Sequence, residues 1–158
     1  MSPFPTGFYY NIIMSLRASI DVGSNTLRLL IAEVNGNKIL DVYSDRKITR
    51  LGSSIDRDGR LPEANMEDSL TALKEFSAVI SKYGVRNIKA VATSALREAV
   101  NSDLFLTRAL RDTGINIEVI TGDKEAALTL KGVLLSFWDD VEPPLLQYPL
   151  SRGPASGA

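Results

Sequence analysis

Hydrophobic and polar positions divide the chain between two periods. Apolar residues recur as in strands over about Leu16 to Val22, Leu27 to Val34 and Lys38 to Thr49. Between the first two lies the short polar stretch Gly23-Ser24-Asn25-Thr26. Between the second and third lies Asn35-Gly36-Asn37, and Asn-Gly is a strong hairpin signal. Three strands with short turns make an antiparallel meander. The third is long, and charge interrupts its apolar positions. Leu51 to Arg60, with two glycines and alternating charges, reads as a loop.

The period then changes. Pro62 is placed at the first position of a helix that runs to about Tyr83. Met66, Leu70, Leu73, Ser77 and Ile80 form its inward face, with Ala72 and Phe76 flanking, and Gly84 is placed as a left-handed cap. Val85 to Thr93 reads as a buried strand. Thr93-Ser94-Ala95 turns into a short helical segment. Asn101 or Ser102 caps a further helix with Phe105, Leu106, Ala109 and Leu110 inward, ended by Gly114. Ile115 to Ile120 is a short strand. Thr121-Gly122-Asp123 opens a last helix to about Phe137, with Ala126, Leu130, Val133, Leu134 and Phe137 on its buried side. The pattern βββ-α-β-α-β-α defines an α/β domain. Its fourth and fifth strands follow helices and can lie parallel to the first through right-handed crossovers, which gives a five-stranded mixed sheet.

Composition narrows the chemistry. The 158 residues are enough for one domain with a core, and 44% hydrophobic with 23% charged residues describes a globular protein. Eighteen basic against nineteen acidic residues give no electrostatic reason to expect nucleic acid or an anionic membrane as partner. The chain has no cysteine and no histidine. Disulfides and thiolate metal sites are excluded, and a reducing cytoplasm is permitted. A metal would be a hard cation on oxygen ligands, with magnesium the natural candidate beside phosphate. A general base would be a carboxylate, lysine or tyrosine.

The turn after the first strand carries the candidate site. Gly23 lets the backbone bend, and Ser24, Asn25 and Thr26 add small donors. Turn amides that face one point hold phosphate without a helix. Asp21, at the end of the first strand, is placed to hold a hydrated cation beside it. The same residues also make an ordinary hairpin turn.

The run Asp21-Val22-Gly23-Ser24-Asn25-Thr26, followed by Leu29-Leu30-Ile31-Ala32-Glu33-Val34, resembles the first phosphate loop of the exopolyphosphatase and guanosine pentaphosphate phosphohydrolase family. Three further stretches resemble that family in the same order: Ile48 to Gly52, Val91 to Ala99, and Ile120 to Ala126. Several matches in one order are far more specific than any one of them. The resemblance implies the ribonuclease H-like half-domain of the actin, Hsp70 and sugar-kinase superfamily, with strand order 3-2-1-4-5. It implies hydrolysis of terminal phosphoanhydride bonds in polyphosphate or guanosine pentaphosphate by metal-assisted attack of water. It also implies a cytoplasmic protein, and a homodimer for a full-length member.

Roles follow by resemblance. Gly23, Ser24, Asn25 and Thr26 would hold phosphate, Asp21 would orient Mg2+, and Arg97 would fork onto phosphate oxygens. Glu125, in Gly122-Asp123-Lys124-Glu125-Ala126, would be the base for the attacking water. Each role has a plainer counterpart. Arg97 also reads as a solvated helix charge, and acidic residues such as Glu125 are favoured in a first helical turn by the helix dipole. Arg50 is a weaker candidate, and Asp123 and Lys124 read as solvated cap residues. A phosphate- or nucleotide-binding module without hydrolysis, an inert fragment, and an ATP-dependent kinase of the same superfamily are the competing functions.

The expected organisation has four parts. Residues 1–15 form an extension with two prolines and no helical period, and 16–121 form the α/β domain. Residues 122–146 form an interdomain helix and the start of an incomplete second domain, which leaves the Leu130, Val133, Leu134 and Phe137 stripe of that helix partly exposed. Residues 147–158, rich in Pro, Gly and Ser, replace the second phosphate loop that the resemblance calls for, as a truncated or frame-shifted product or as a natural disordered tail.

Overall fold

The computed structural model describes residues 16–35, 38–53, 55 and 57–138, with the side chains of 134–138 left aside. The expected N-terminal extension, the Gly36-Asn37 tip of the hairpin, the stretch 139–146 and the tail 147–158 lie outside the described residues.

Among the described residues five strands and four helices follow one another as β1 (Leu16–Val22), β2 (Thr26–Asn35), β3 (Lys38–Ile48), α1 (Glu63–Lys82), β4 (Asn87–Ala92), α2 (Ser94–Glu98), α3 (Ser102–Thr113), β5 (Ile117–Val119) and α4 (Gly122–Trp138). The sheet order is β3-β2-β1-β4-β5, as the resemblance implies. β1 and β3 each run antiparallel to β2, and β4 and β5 run parallel to β1. Parallel strands need crossovers, and α1 and α3 supply them on one face of the sheet.

Strand alternation decides which residues meet those helices. Ala18, Ile20 and Val22 of β1, Leu27, Leu29 and Ile31 of β2, and Ala90 and Ala92 of β4 are buried under α1 and α3. From α1 come Met66, Leu70, Ala72, Leu73, Phe76 and Ile80, and from α3 Phe105 and Ala109. Phe76 is fully buried at the centre of this face rather than on its flank, and Ser77 is only half-buried. The Ser77 hydroxyl instead donates to the Thr113 carbonyl at the end of α3. In β3 the register slips opposite Ile31 and Ala32, leaving Val42 without a partner, and such a bulge turns the strand. Val42 is accordingly exposed, while Tyr43 packs its ring 5.6 Å from that of Tyr83.

Four expectations need correction. Pro62 lies outside α1 as its N-cap, at φ −63° and ψ 137°, because the proline's extended ψ stops the helix one residue short. Asn101 does not cap α3 with its side chain. Its buried amide is used across the chain, where Nδ2 donates to the Leu61 carbonyl and Oδ1 accepts the Leu61 N–H. Leu110 is 49% exposed, because Phe105 and Ala109 turn the adjacent stripe of α3 to the core. Ala126 of α4 is exposed rather than on a buried side, whereas Leu130 and Val133 are exposed as expected of their stripe. Leu134 and Phe137 fall among the side chains left aside.

Gly84 and Gly114 end α1 and α3 at φ 67° and 72°, a conformation that costs any other residue its Cβ clearance. No described helix is long and apolar enough to cross a membrane. Removing the central aromatic ring should therefore be severe. Phe76→Ala is expected to lose about 3–5 kcal/mol in urea unfolding, whereas Leu110→Ala stays within about 0.5 kcal/mol. Equal losses would mean that the core face of α3 is misassigned.

Candidate active site

The candidate residues gather at the C-terminal ends of β1, β4 and β5, where parallel strands feed their loops. This edge is the usual place for ligands in open α/β sheets. An open cleft of about 280 Å3 lies there, lined by Asp21, Val91, Thr93, Ile120, Glu125, Leu128 and Thr129. A sequence span of more than a hundred residues thus closes on one small volume.

The turn after β1 is braced from behind. The Gly23 N–H donates to the Thr26 carbonyl at 3.1 Å, and a Cβ on Gly23 would stand 2.9 Å from that oxygen. The Ser24 carbonyl accepts the Gly52 N–H at 2.7 Å, and the Asn25 carbonyl accepts the Thr49 and Arg50 N–H groups at 3.2 and 3.0 Å. Thr26 already belongs to β2, in register with Ile48. The turn's Ser24 and Asn25 N–H groups have no backbone acceptor among the described residues. Ser24 Oγ and Ser94 Oγ are 2.9 Å apart, which ties the turn to the start of α2.

Gly52 makes that junction possible. A Cβ there would lie 2.7 Å from the Ala95 Cβ and 3.0 Å from the Ser24 Cβ. The stretches around Gly23, Gly52 and Ala95 pack against one another at this point. Arg50, exposed on the same bend, has φ 52° and no side-chain ion pair among the described residues.

Arg97 and Glu125 also meet. Arg97 Nη1 donates to the Ile120 carbonyl at 3.0 Å and lies 3.7 Å from Glu125 Oε2. Both side chains are partly exposed, so neither is a sealed structural ion. Thr121 starts α4, its Oγ1 accepting the Lys124 N–H at 3.3 Å. Lys124 is not a merely solvated cap residue. It pairs with Glu118 of β5, which also holds Lys89 of β4 at 2.8 Å. This trio pins the first turn of α4, and hence Glu125, to the sheet. Asp123 is exposed, as expected.

Asp21 is shared. Its Oδ2 accepts from Arg28 Nη1 at 3.0 Å, between register partners on β1 and β2. Arg28 went unremarked in the sequence, although its place seven residues after Asp21 across a tight turn puts it opposite. A larger surface hollow, about 620 Å3, lies beside the cleft on the sheet face opposite α1 and α3, and includes Asp21, Arg28, Ser44 and Arg46. The chemistry favours the smaller cleft, where Asp21, Thr93 and Glu125 converge. Among the described residues no group of three or more acidic side chains is placed to hold a metal.

The strand order, with β1 antiparallel to β2 and parallel to β4, defines a ribonuclease H-like half-domain with its cleft at the strand ends. The Ppx/GppA phosphatase family matches residues 30–143 of the chain, which belongs to that family. The match starts within β2. Arg97 and Glu125 lie inside it, and the Asp21–Thr26 turn lies just before it. The chain is 40% identical over 145 residues to the bifunctional 3-dehydroquinate synthase/phosphatase of Fusobacterium nucleatum, covering 87% of this chain and 22% of that protein. It is 34% identical over 126 residues to exopolyphosphatase 2 of Mycobacterium tuberculosis, covering 74% and 40%. The crystal structure of the Aquifex aeolicus Ppx/GppA family member superposes with a TM-score of 0.73 at 37% identity, covering 78% of this chain and 40% of that one. The chain thus spans less than half the length of these relatives.

The Glu118 trio gives a pH prediction. Lys124 first, then Lys89, hold the Glu118 carboxyl down to about 2. A depressed carboxyl contributes stability above its ordinary value and loses it as pH falls through the folded value. The stability gap between the parent and Glu118→Gln should therefore be full near neutral pH. It should close between about 4.5 and about 2. A gap that persists unchanged below that window would remove Glu118 as the anchor of α4.

Proposed function

We propose that this site serves hydrolysis of terminal phosphoanhydride bonds in inorganic polyphosphate or guanosine pentaphosphate, in a protein of the relatives' length. The observation that carries the reading is the meeting of Arg97 and Glu125, 3.7 Å apart, with Glu125 in one cleft with Asp21. In this reading the Ser24 and Asn25 N–H groups hold the terminal phosphate. Arg97 turns from Glu125 to phosphate oxygens, which its planar fork suits. Glu125 takes a proton from a water whose oxygen bonds to the terminal phosphorus as the bridging P–O bond breaks. The shortened chain leaves with the bond's electrons.

Magnesium, where bound, would neutralise phosphate charge. Asp21 is the side chain of this cleft suited to it, as a hard oxygen donor to a cation that keeps several of its waters. Its Oδ2 accepts from Arg28, so a cation would share the carboxylate with the guanidinium or displace it. A pair this exposed contributes about 0–1 kcal/mol, so the exchange is cheap.

Glu125→Gln keeps the side chain's size and removes the proton acceptor. In a full-length member carrying this segment, phosphate release from polyphosphate should fall by about 100- to 10,000-fold while polyphosphate binding stays nearly constant. A loss below about tenfold would demote Glu125 to a first-turn charge with no part in proton transfer.

A further inference from the structure

We propose that Asn65 of α1 is a positioning residue for the phosphate turn, which it does not touch. The functional half of this proposal rests on the phosphate-binding reading above. The mechanical half stands on geometry alone.

Arg50 is the one residue other than glycine with a positive φ among the described residues. The left-handed conformation costs a side-chain-bearing residue roughly 1–2 kcal/mol, so the surroundings must impose it. On one side of the bend, Thr49, Arg50 and Gly52 donate their N–H groups to the Asn25 and Ser24 carbonyls. On the other side the Arg50 carbonyl accepts the Ser53 N–H and Ser53 Oγ, both at 2.9 Å, and Asn65 Nδ2 at 2.8 Å. The same Nδ2 reaches the Ser53 carbonyl at 3.0 Å. One amide group thus bridges the carbonyls of residues 50 and 53 and closes the bend.

Its mount is rigid. Met66 and Leu70 bury the adjacent face of α1, and the Asn101 amide clasps the backbone of Leu61 just before the helix. The effect at the far end follows from peptide planarity. The Ser24 carbonyl and the Asn25 N–H belong to one plane and point in opposite directions. Pinning that carbonyl on the Gly52 N–H therefore aims the Asn25 N–H outward. Asn65 holds the segment that does the pinning.

Asn65→Asp tests this with almost no change of shape. It removes both N–H donors and sets a carboxylate against carbonyl oxygens. Asn65→Ala removes the tie without that repulsion. Ser69→Ala is the control, because the Ser69 hydroxyl donates to the Asn65 carbonyl within α1 and reaches no part of the bend. Amide exchange in the ligand-free chain, and the affinity of a full-length member carrying this segment for long-chain inorganic polyphosphate, are the two readouts. Both Asn65 variants should speed exchange of the Arg50 and Gly52 N–H groups by about tenfold or more, with β1 and β4 unchanged. Polyphosphate affinity should fall by about tenfold. Ser69→Ala should lower stability and shift neither readout. Unchanged exchange at Arg50 and Gly52 in Asn65→Asp, or equal effects from Ser69→Ala, would overturn the proposal. A full-length member carrying this segment that binds no polyphosphate would overturn the phosphate-binding reading and the functional half with it, while exchange still decides the mechanical half.

Discussion

The absence of a side chain at Gly52 is the constraint on which the site depends. Three pieces of chain far apart in sequence come together there: the turn after β1, the bend after β3 and the start of α2. A single methyl group would need to sit 2.7 Å from one neighbour and 3.0 Å from another, and both are Cβ atoms held by backbone. Neither can rotate away. A larger residue would push the bend off Ser24, and the 2.7 Å bond from the Gly52 N–H to the Ser24 carbonyl would lengthen or break. The contact between Ser24 and Ser94 would follow. Close packing here is what lets the Gly52 N–H reach the Ser24 carbonyl and so aim the turn's amides.

The charges around the cleft form a second pattern. Each candidate carboxylate has an arginine beside it: Asp21 has Arg28, and Glu125 has Arg97. All four side chains are at least a third exposed. Pairs in such surroundings are weak, because water screens them and side-chain entropy opposes them. That weakness suits a site that must exchange partners. In the proposed reading a polyanionic ligand would compete for the arginines, and a cation for Asp21. The pairs keep the cleft near electrical balance without locking it. The Glu118 trio is different, because one carboxylate is held by two lysines from separate elements and its charge is fixed accordingly. The fixed group anchors α4, and the loosely paired ones face the cleft.

Much of this was legible in the sequence, for a physical reason. The βββ-α-β-α-β-α order, the cap glycines 84 and 114 and most of the buried positions of α1 follow from local rules of period and backbone freedom. The meeting of Arg97 with Glu125 was not legible. It depends on how α2 and α4 leave neighbouring strands, and only the resemblance put both residues in one site. Asn101 was misread because its local context is that of a cap, while its partner Leu61 lies forty positions away. Leu110 and Ala126 were misread because helical periodicity shows an apolar stripe without showing whether anything covers it. Arg28 and Asn65 were missed for a related reason. Their partners are backbone or register neighbours that become adjacent only when the turns have closed.

The two kinds of information meet in the parity of β1. Ala18, Ile20 and Val22 must face α1 and α3, so Arg17, Ser19 and Asp21 must face the other side. The same rule turns Arg28 out from between Leu27 and Leu29, and Val91 out from between Ala90 and Ala92. In the paired register Arg46, Arg28, Asp21, Val91 and Glu118 therefore form one row across the face opposite α1 and α3. A slip of one residue in β1 would bury Asp21 and expose Ile20. The cost of burying that carboxylate and losing the apolar contacts forbids the slip. The hydrophobic pattern that builds the core is thus also what delivers Asp21 to the cleft.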